Sequence, residues 1–309
     1  MDRIHLGRRQ FIKQMATASA ALAAASTLPG CMSLMGEKST YDISLAQWSL
    51  HRRFFSGEAD PMNFAQIARQ EFDIGGIEYV NQFYKDTLSE ALVQDLRARA
   101  DRENVQSLLI MVDGEGALGA PSESGRKQTV DNHKKWADAA HGLGCHSIRV
   151  NAQSEGTWDE QRDRAAEGLV MLAEYCEPLG LNVLVENHGG LSSNARWLSQ
   201  VMETANHPRV GTLPDFGNFV IDQEAGETYD RYRGVRELMP YARAVSAKSY
   251  AFNEQGEETT INFQRMIDIV MAVGYNGWVG IEYEGDKHSE AEGIRLTGDL
   301  LRRIKANRA

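Results

Sequence analysis

The 309-residue chain has little cysteine, no long apolar run and no surplus of positive charge, and each shortage excludes something. Only Cys31, Cys145 and Cys176 occur. Cys176 falls on an apolar helical stripe with Ala165, Leu169, Leu172 and Ala173 and reads as a buried free thiol, and the sequence supplies no geometry for a disulfide. Lysine and arginine number 33 against 43 acidic residues, a formal net charge of -10, with no basic stripe, so a nucleic-acid partner is excluded. No glycine-rich phosphate fingerprint follows the first strand, which argues against an open dinucleotide-binding sheet. What is present is one core's worth of hydrophobic residues, 42%, in a chain of the size of one eight-stranded α/β barrel.

The chain opens on Gly7-Arg8-Arg9-Gln10-Phe11-Ile12-Lys13, which resembles a twin-arginine export signal, followed by the weakly apolar run Met15 to Leu28, too short to span a bilayer. Leu28-Pro29-Gly30-Cys31 resembles a lipobox, in which Cys31 would carry a lipid anchor. The rival reading is a soluble protein cleaved nearby. Residues 1–31 are therefore expected to be a signal peptide, 32–40 a polar linker and 41–309 the folded domain. The resemblance implies export to the periplasm, by a route that carries proteins already folded and often loaded with a cofactor. Removing residues 1–30 leaves 42 acidic against 29 basic residues.

Within 41–309, eight short apolar runs alternate with segments of helical period. The strands are expected at Ile43–Ser49, Gly76–Asn81, Val105–Val112, His146–Asn151, within Leu181–Gly190, within Val210–Asn218, at Ala244–Tyr250 and at Trp278–Tyr283. Helical stripes lie between them, such as Phe263, Met266, Ile267 and Val270. Such alternation forces parallel pairing with right-handed crossovers, so the fold class is α/β, a single (β/α)8 TIM barrel. The loop from Glu115 to Gly125, rich in Gly, Ser and Pro, has no period and is expected to be a mobile cover.

Charge arrives where the later strands stop. LNVLVENHGG ends in Glu186 and His188, VGTLPDFGN delivers Asp215, AVSAKSY delivers Lys248 and WVGIEYEG delivers Glu282. Alternation puts Leu184, Glu186 and His188 on one face, as it does Leu213 with Asp215, Ser246 with Lys248, and Glu282 with Glu284. In a closed barrel that face points inward, at the end where such folds carry their site. Glu78 on the second strand and Arg149 with Asn151 on the fourth join them. Trp48 and Tyr250 lie at or past strand ends, where flat faces can stack on sugar rings, although each alone is as readily rim packing.

On Glu186, Asp215, Lys248 and Glu282, and on the phrases VENHGG, PDFGNF and VGIEYEG, the chain resembles the xylose isomerase-like barrels, a superfamily of sugar phosphate isomerases, ketose epimerases and metal-dependent endonucleases. In its epimerase branch a glutamate, an aspartate, a histidine and a glutamate on strands five to eight hold one divalent ion. Glu186, Asp215 and Glu282 match three of the four, and Ser246 stands where the histidine would be. The resemblance implies Mn²⁺ or Mg²⁺, with Zn²⁺ or Co²⁺ as alternatives, and Ser246, His188 or water completing the shell. It also implies that Glu186 and Glu282 exchange protons on opposite faces of a keto-sugar, while His188 and Lys248 hold substrate oxygens. Three functions stay open: an isomerase or epimerase of keto-sugars, a lyase or hydratase cleaving 3-keto-glycosides made by a partner oxidoreductase, and a sugar-binding lipoprotein without catalysis. For Lys248 the alternative role is an ion pair with Glu282 or Asp215, in a metal-free cluster neutralised with Arg149.

Overall fold

The computed structural model describes residues 40–308. The twin-arginine segment, the lipobox with Cys31 and nearly all of the linker lie outside the described residues.

Eight parallel strands run Asp42–Ala46 (β1), Gly76–Val80 (β2), Gln106–Met111 (β3), Ser147–Val150 (β4), Asn182–Glu186 (β5), Val210–Leu213 (β6), Val245–Ser249 (β7) and Trp278–Tyr283 (β8). They pair in sequence from β1 to β6, and β1 pairs with β8, which pairs with β7. Pro214 follows β6 and has no N–H to give a ladder, so β6 and β7 meet through the separate bridges Thr212–Ala242 and Asp215–Ser246. Ser246 N–H donates to Pro214 O at 3.0 Å and Phe216 N–H to Ser246 O at 3.1 Å, which closes the barrel at the position that carries Asp215.

The main helices are Phe64–Phe72 (α1), Glu90–Arg102 (α2), Glu123–Leu143 (α3), Trp158–Cys176 (α4), Ala195–Ala205 (α5), Arg231–Leu238 (α6), Phe263–Met271 (α7) and Glu290–Ala306 (α8). Their starts follow local chemistry: Thr157 and Glu160 form a reciprocal capping box at α4, and Ser122, Asn194, Asp230, Asn262 and Ser289 cap others with a side-chain oxygen. A short helical turn, His51–Phe55, follows β1, and a small antiparallel hairpin, Val220–Asp222 with Glu227–Thr228, follows β6.

Strand alternation produces two cores. Val183, Val185, Val245, Ala247, Val279 and Ile281 face the helices. Ala46, Val80, Leu109, Met111, Leu184, Leu213 and Ala244 fill the barrel interior beneath the charged end. The loop 115–125 departs from the expected mobile cover. Leu118 is fully buried, Gly119 N–H donates to Gln153 O at 2.9 Å, and the Trp136 indole donates to Glu115 at 2.6 Å. Its polar composition conceals one anchoring leucine and a backbone bridge to the loop after β4.

Candidate active site

Inward Leu184 on β5 sets the register that aims Glu186 into the barrel, Leu213 does the same for Asp215, and Ala244 for Ser246 and Lys248. Gly280 aims Glu282, and a Cβ on Gly280 would collide with the Glu78 carboxylate, so β8 needs glycine there. One oxygen each of Glu186, Asp215 and Glu282 lies within 4.8 Å of the others, and all three residues are buried.

The loops after β5 and β6 hold this triad in place. Asn187 donates to the carbonyls of Asp215 and Asn218, both at 3.0 Å, and accepts the Asp215 N–H at 2.8 Å, tying the two strand ends together. Asp215 Oδ1 accepts the backbone N–H groups of Gly217 and Asn218 at 2.7 Å each, and the Asn218 amide donates to Glu186 Oε1 at 2.9 Å. Ser246 Oγ sits 2.7 Å from both Asp215 Oδ2 and Glu282 Oε2. A hydroxyl has one proton to donate, so with both carboxylates ionised one contact goes unsatisfied unless a proton or cation intervenes.

Two basic groups flank the triad. Lys248 Nζ lies 3.4 Å from Glu282, 3.4 Å from Glu284 and 3.7 Å from Asp215. Arg149 bridges two strands, 2.8 Å from Asp113 Oδ1 and 2.7 Å from Glu186 Oε2. That second contact is off the N–H axis: neither Arg149 Nε nor Glu186 Oε2 makes a hydrogen bond, and both are buried. The fully buried ionisable set at this end is Glu78, Glu186, Asp215 and Glu282 against Arg149 and Lys248, two negative charges in excess. One divalent cation, or two protons, balances it. The three converging carboxylates, with a Glu186 Oε2 that makes no hydrogen bond, fit a hard divalent ion, which would take the place of the proton that burial otherwise favours on Glu186.

Electrostatics split the carboxylates. Burial pushes Glu186 up to about 8 against the opposing charge of Arg149, and raises Asp215 against that of Lys248. Burial also works against ionising Glu282, but Lys248, the Ser246 hydrogen bond and Arg149 outweigh it and hold Glu282 below the usual carboxylate range. Lys248 stays protonated because Asp215, Glu282 and Glu284 overcome its desolvation. His188 is lowered by desolvation and by Arg149.

Beside the triad opens a cavity of about 290 Å³, lined by Trp48, Gln82, Asp113, Arg149, His188, Glu282 and Glu284 with the apolar Val80 and Met111. Of the residues singled out from the sequence, Trp48, Arg149, His188 and Glu282 thus line it, and Glu186, Asp215 and Lys248 adjoin it through Arg149 and Glu282. Asn151 stands one layer back, donating to Asp113 at 2.7 Å. Glu78 lies deeper, accepting from Ser44 at 2.6 Å and pushed up to about 7 mainly by burial. Tyr250 packs its hydroxyl over Gly217 beside Lys248, where any side chain at 217 would collide with it. Sequence reasoning did not select Asp113, Gln82, Asn187 or Asn218. Asp113, directly after the β3 run, carried the same signal as Glu186.

With this geometry in view, the comparisons place the chain. Residues 65–305 match the family described as xylose isomerase-like TIM barrel, and the chain belongs to that family. Among solved structures it is similar to a D-tagatose 3-epimerase-like protein, at 19% identity and a TM-score of 0.66 over 87% of this chain and 100% of the other. The 3-keto-D-glucoside 4-epimerase of E. coli in its apo form matches with 14% identity and a TM-score of 0.67, over 86% and 100%. A xylose isomerase-like barrel protein from Mycobacterium smegmatis in complex with magnesium matches with 15% identity and 0.65, over 87% and 98%. No curated protein matches the chain.

Proposed function

We propose that the protein is a divalent-metal-dependent sugar isomerase or epimerase that moves a proton on the carbon next to the carbonyl of a keto-sugar. The observation that carries this reading is the buried triad of Glu186, Asp215 and Glu282, with a Glu186 oxygen that makes no hydrogen bond, beside a sugar-sized cavity. Glu186, Asp215 and Glu282 would hold Mn²⁺ or Mg²⁺. When bound, the ion supplies Lewis acidity to negative charge developing on the substrate carbonyl oxygen.

The chain's own residues do the rest. Glu282, which Lys248 holds ionised, and Glu186 are the pair suited to exchange the proton with the substrate carbon. Lys248 lies within reach of both Glu282 and Glu284 and holds a substrate oxygen on that side. His188, neutral in the working range, donates or accepts at the mouth. Arg149 fixes Glu186 and Asp113 in one geometry, so proton donor and sugar wall share a support.

Cleavage of a 3-keto-glycoside uses the same proton abstraction followed by loss of the leaving group. The likeness to a 3-keto-D-glucoside 4-epimerase favours a keto-glycoside as substrate, supplied by a sugar oxidoreductase. Residues 7–13 and Cys31 support a periplasmic enzyme, exported folded and tethered by lipid. Incubation with Mn²⁺ and candidate keto-sugars in D2O tests the reaction: deuterium should enter the carbon beside the carbonyl. Exchange that survives loss of both Glu186 and Glu282 would place the base elsewhere, and binding without exchange would leave a sugar-binding protein.

A further inference from the structure

The turn after β1 exposes a large aromatic ring beside the cavity. Phe54 is 6% exposed and packs edge-on against Phe64 at 6.2 Å, whereas its neighbour Phe55 is 60% exposed. Among the described residues the other exposed large hydrophobics are valines, Val220 and Val273. A single exposed apolar residue needs no explanation, but Phe55 is not single. Its ring centroid lies 5.0 Å from Phe83, tilted by 44°, and 6.0 Å from Trp48, edge-on. Trp48 lies 6.3 Å from Phe83, and Trp48 itself lines the cavity with Glu282 and His188. The three rings form a continuous apolar ramp from the triad's pocket to solvent.

The ramp is held rigid. The buried Glu290 carboxylate accepts the backbone N–H groups of Arg52 at 2.8 Å and Arg53 at 3.1 Å, and the Arg52 guanidinium donates twice to Gly285 O at 3.1 Å. Arg53 makes a two-pronged pair with Glu71 at 3.0 and 3.1 Å. Trp48 is stacked on His51 at 4.7 Å. A five-residue helix fixed at both arginines presents Phe55 at little entropic cost to anything that settles on it. The cavity, about 290 Å³, lies at the small end of ligand pockets, so one sugar ring fills it and the remainder of a larger substrate must leave along its rim.

We infer that Trp48, Phe83 and Phe55 form a subsite for the aglycone of a glycoside, and that this aglycone is a flat apolar ring. The inference rests on the reading of the triad pocket as the sugar site and names its substrate class: a ring-bearing glycoside rather than a free ketose. An aromatic occupant is favoured over a second sugar because Phe55 and Phe83 stand as a tilted cleft of carbon surface, the geometry in which aromatic rings pack edge to face. The polar groups that would meet sugar hydroxyls, Gln82, Asp113 and Arg149, belong to the inner cavity.

The test compares two glycosides that lack the keto group and cannot turn over. Methyl and 4-nitrophenyl β-D-glucopyranoside are titrated calorimetrically into the full chain with Mn²⁺ present. The nitrophenyl glycoside should bind about 3- to 10-fold more tightly. Phe55→Ala should lower its affinity to near that of the methyl glycoside, and Phe55→Tyr, which keeps the ring, should retain the advantage. Equal affinities in the wild type, binding of neither glycoside, or equal weakening of both by Phe55→Ala would overturn the subsite. So would a wild-type dimer that Phe55→Ala dissociates, which would make the ring an interface residue. Aglycone preference without deuterium exchange in any keto-glycoside would keep the ramp and overturn the proton-transfer reading; exchange confined to free ketoses without aglycone preference would do the reverse.

Discussion

The two halves of the barrel do different work. β5 to β8 end in Glu186, Asp215, Ser246, Lys248 and Glu282, buried groups that sit within a few ångströms of one another, and the protonation of the ionisable ones is set by burial first and by their mutual charges second. β1 to β4 end in Trp48, Gln82 and Asp113, which are partly exposed, and in the buried Arg149, and these wall the cavity opposite His188, Glu282 and Glu284. On the proposed reading the two ends suit separate tasks: proton transfer needs a dry cluster with fixed geometry, whereas recognition needs area and access. Arg149 is the join, a residue of the recognition half that reaches across to Glu186.

The largest effect should come from the chemical half. Glu186→Gln or Glu282→Gln removes a proton carrier together with a metal ligand, and deuterium exchange should slow by about 10³-fold or more. A loss of only a few-fold in both would mean that the cluster is structural and that the halves do not differ in this way. Next comes the join. Arg149→Met leaves Asp113 and Glu186 without their cation in a buried setting, and should cost about 3–5 kcal/mol of stability, read as a fall in the chemical midpoint of unfolding. A midpoint within error of wild type would show that the two halves are not coupled through Arg149.

The reading of the sequence anticipated the chemical half better than the recognition half, and the reason is physical. Alternation along a strand is local, so the inward aim of Glu186, Asp215 and Lys248 could be read from Leu184, Leu213 and Ser246 two positions earlier, and that of Glu282 with Glu284 two positions later. The eight strands and their helices were legible for the same reason, with most boundaries moved by a residue or two and the ends of β1 and β6 by more, where side chains turn the chain, as Gln47 does by accepting the Val80 N–H at 2.9 Å. Asp113 carried the strand-end signal, but its pairing with Arg149 and Asn151, 36 and 38 residues away across β3 and β4, was not legible. Ser246 looked like a missing ligand. Its contacts to two carboxylates at once could not be read without the bridge that Pro214 imposes between β6 and β7. The loop after β3 looked mobile because composition does not reveal that Leu118 is buried.

A gentler effect comes from pH. In the ion-free site Glu186 holds a proton up to about pH 8, and a cation must displace it. Mn²⁺ affinity should therefore rise with pH, by about tenfold per unit below 8 for one proton released, and level off above. Calorimetry in two buffers of different ionisation enthalpy counts that proton. Affinity that falls with rising pH would contradict the assignment. The smallest effect belongs to the recognition half: Gln82→Ala should raise KM several-fold and leave kcat and metal content unchanged, since Gln82 lines the cavity and is not one of the three carboxylates that converge. A fall in kcat with KM unchanged would move Gln82 into the chemistry and blur the division.

In the proposed enzyme β5, β6 and β8 together would hold one divalent ion. Elemental analysis of protein purified without chelator, beside Glu186→Gln and Asp215→Asn prepared identically, measures it directly. The account predicts about one equivalent of divalent metal per wild-type chain and a small fraction of that in each variant; full occupancy in both variants would contradict it.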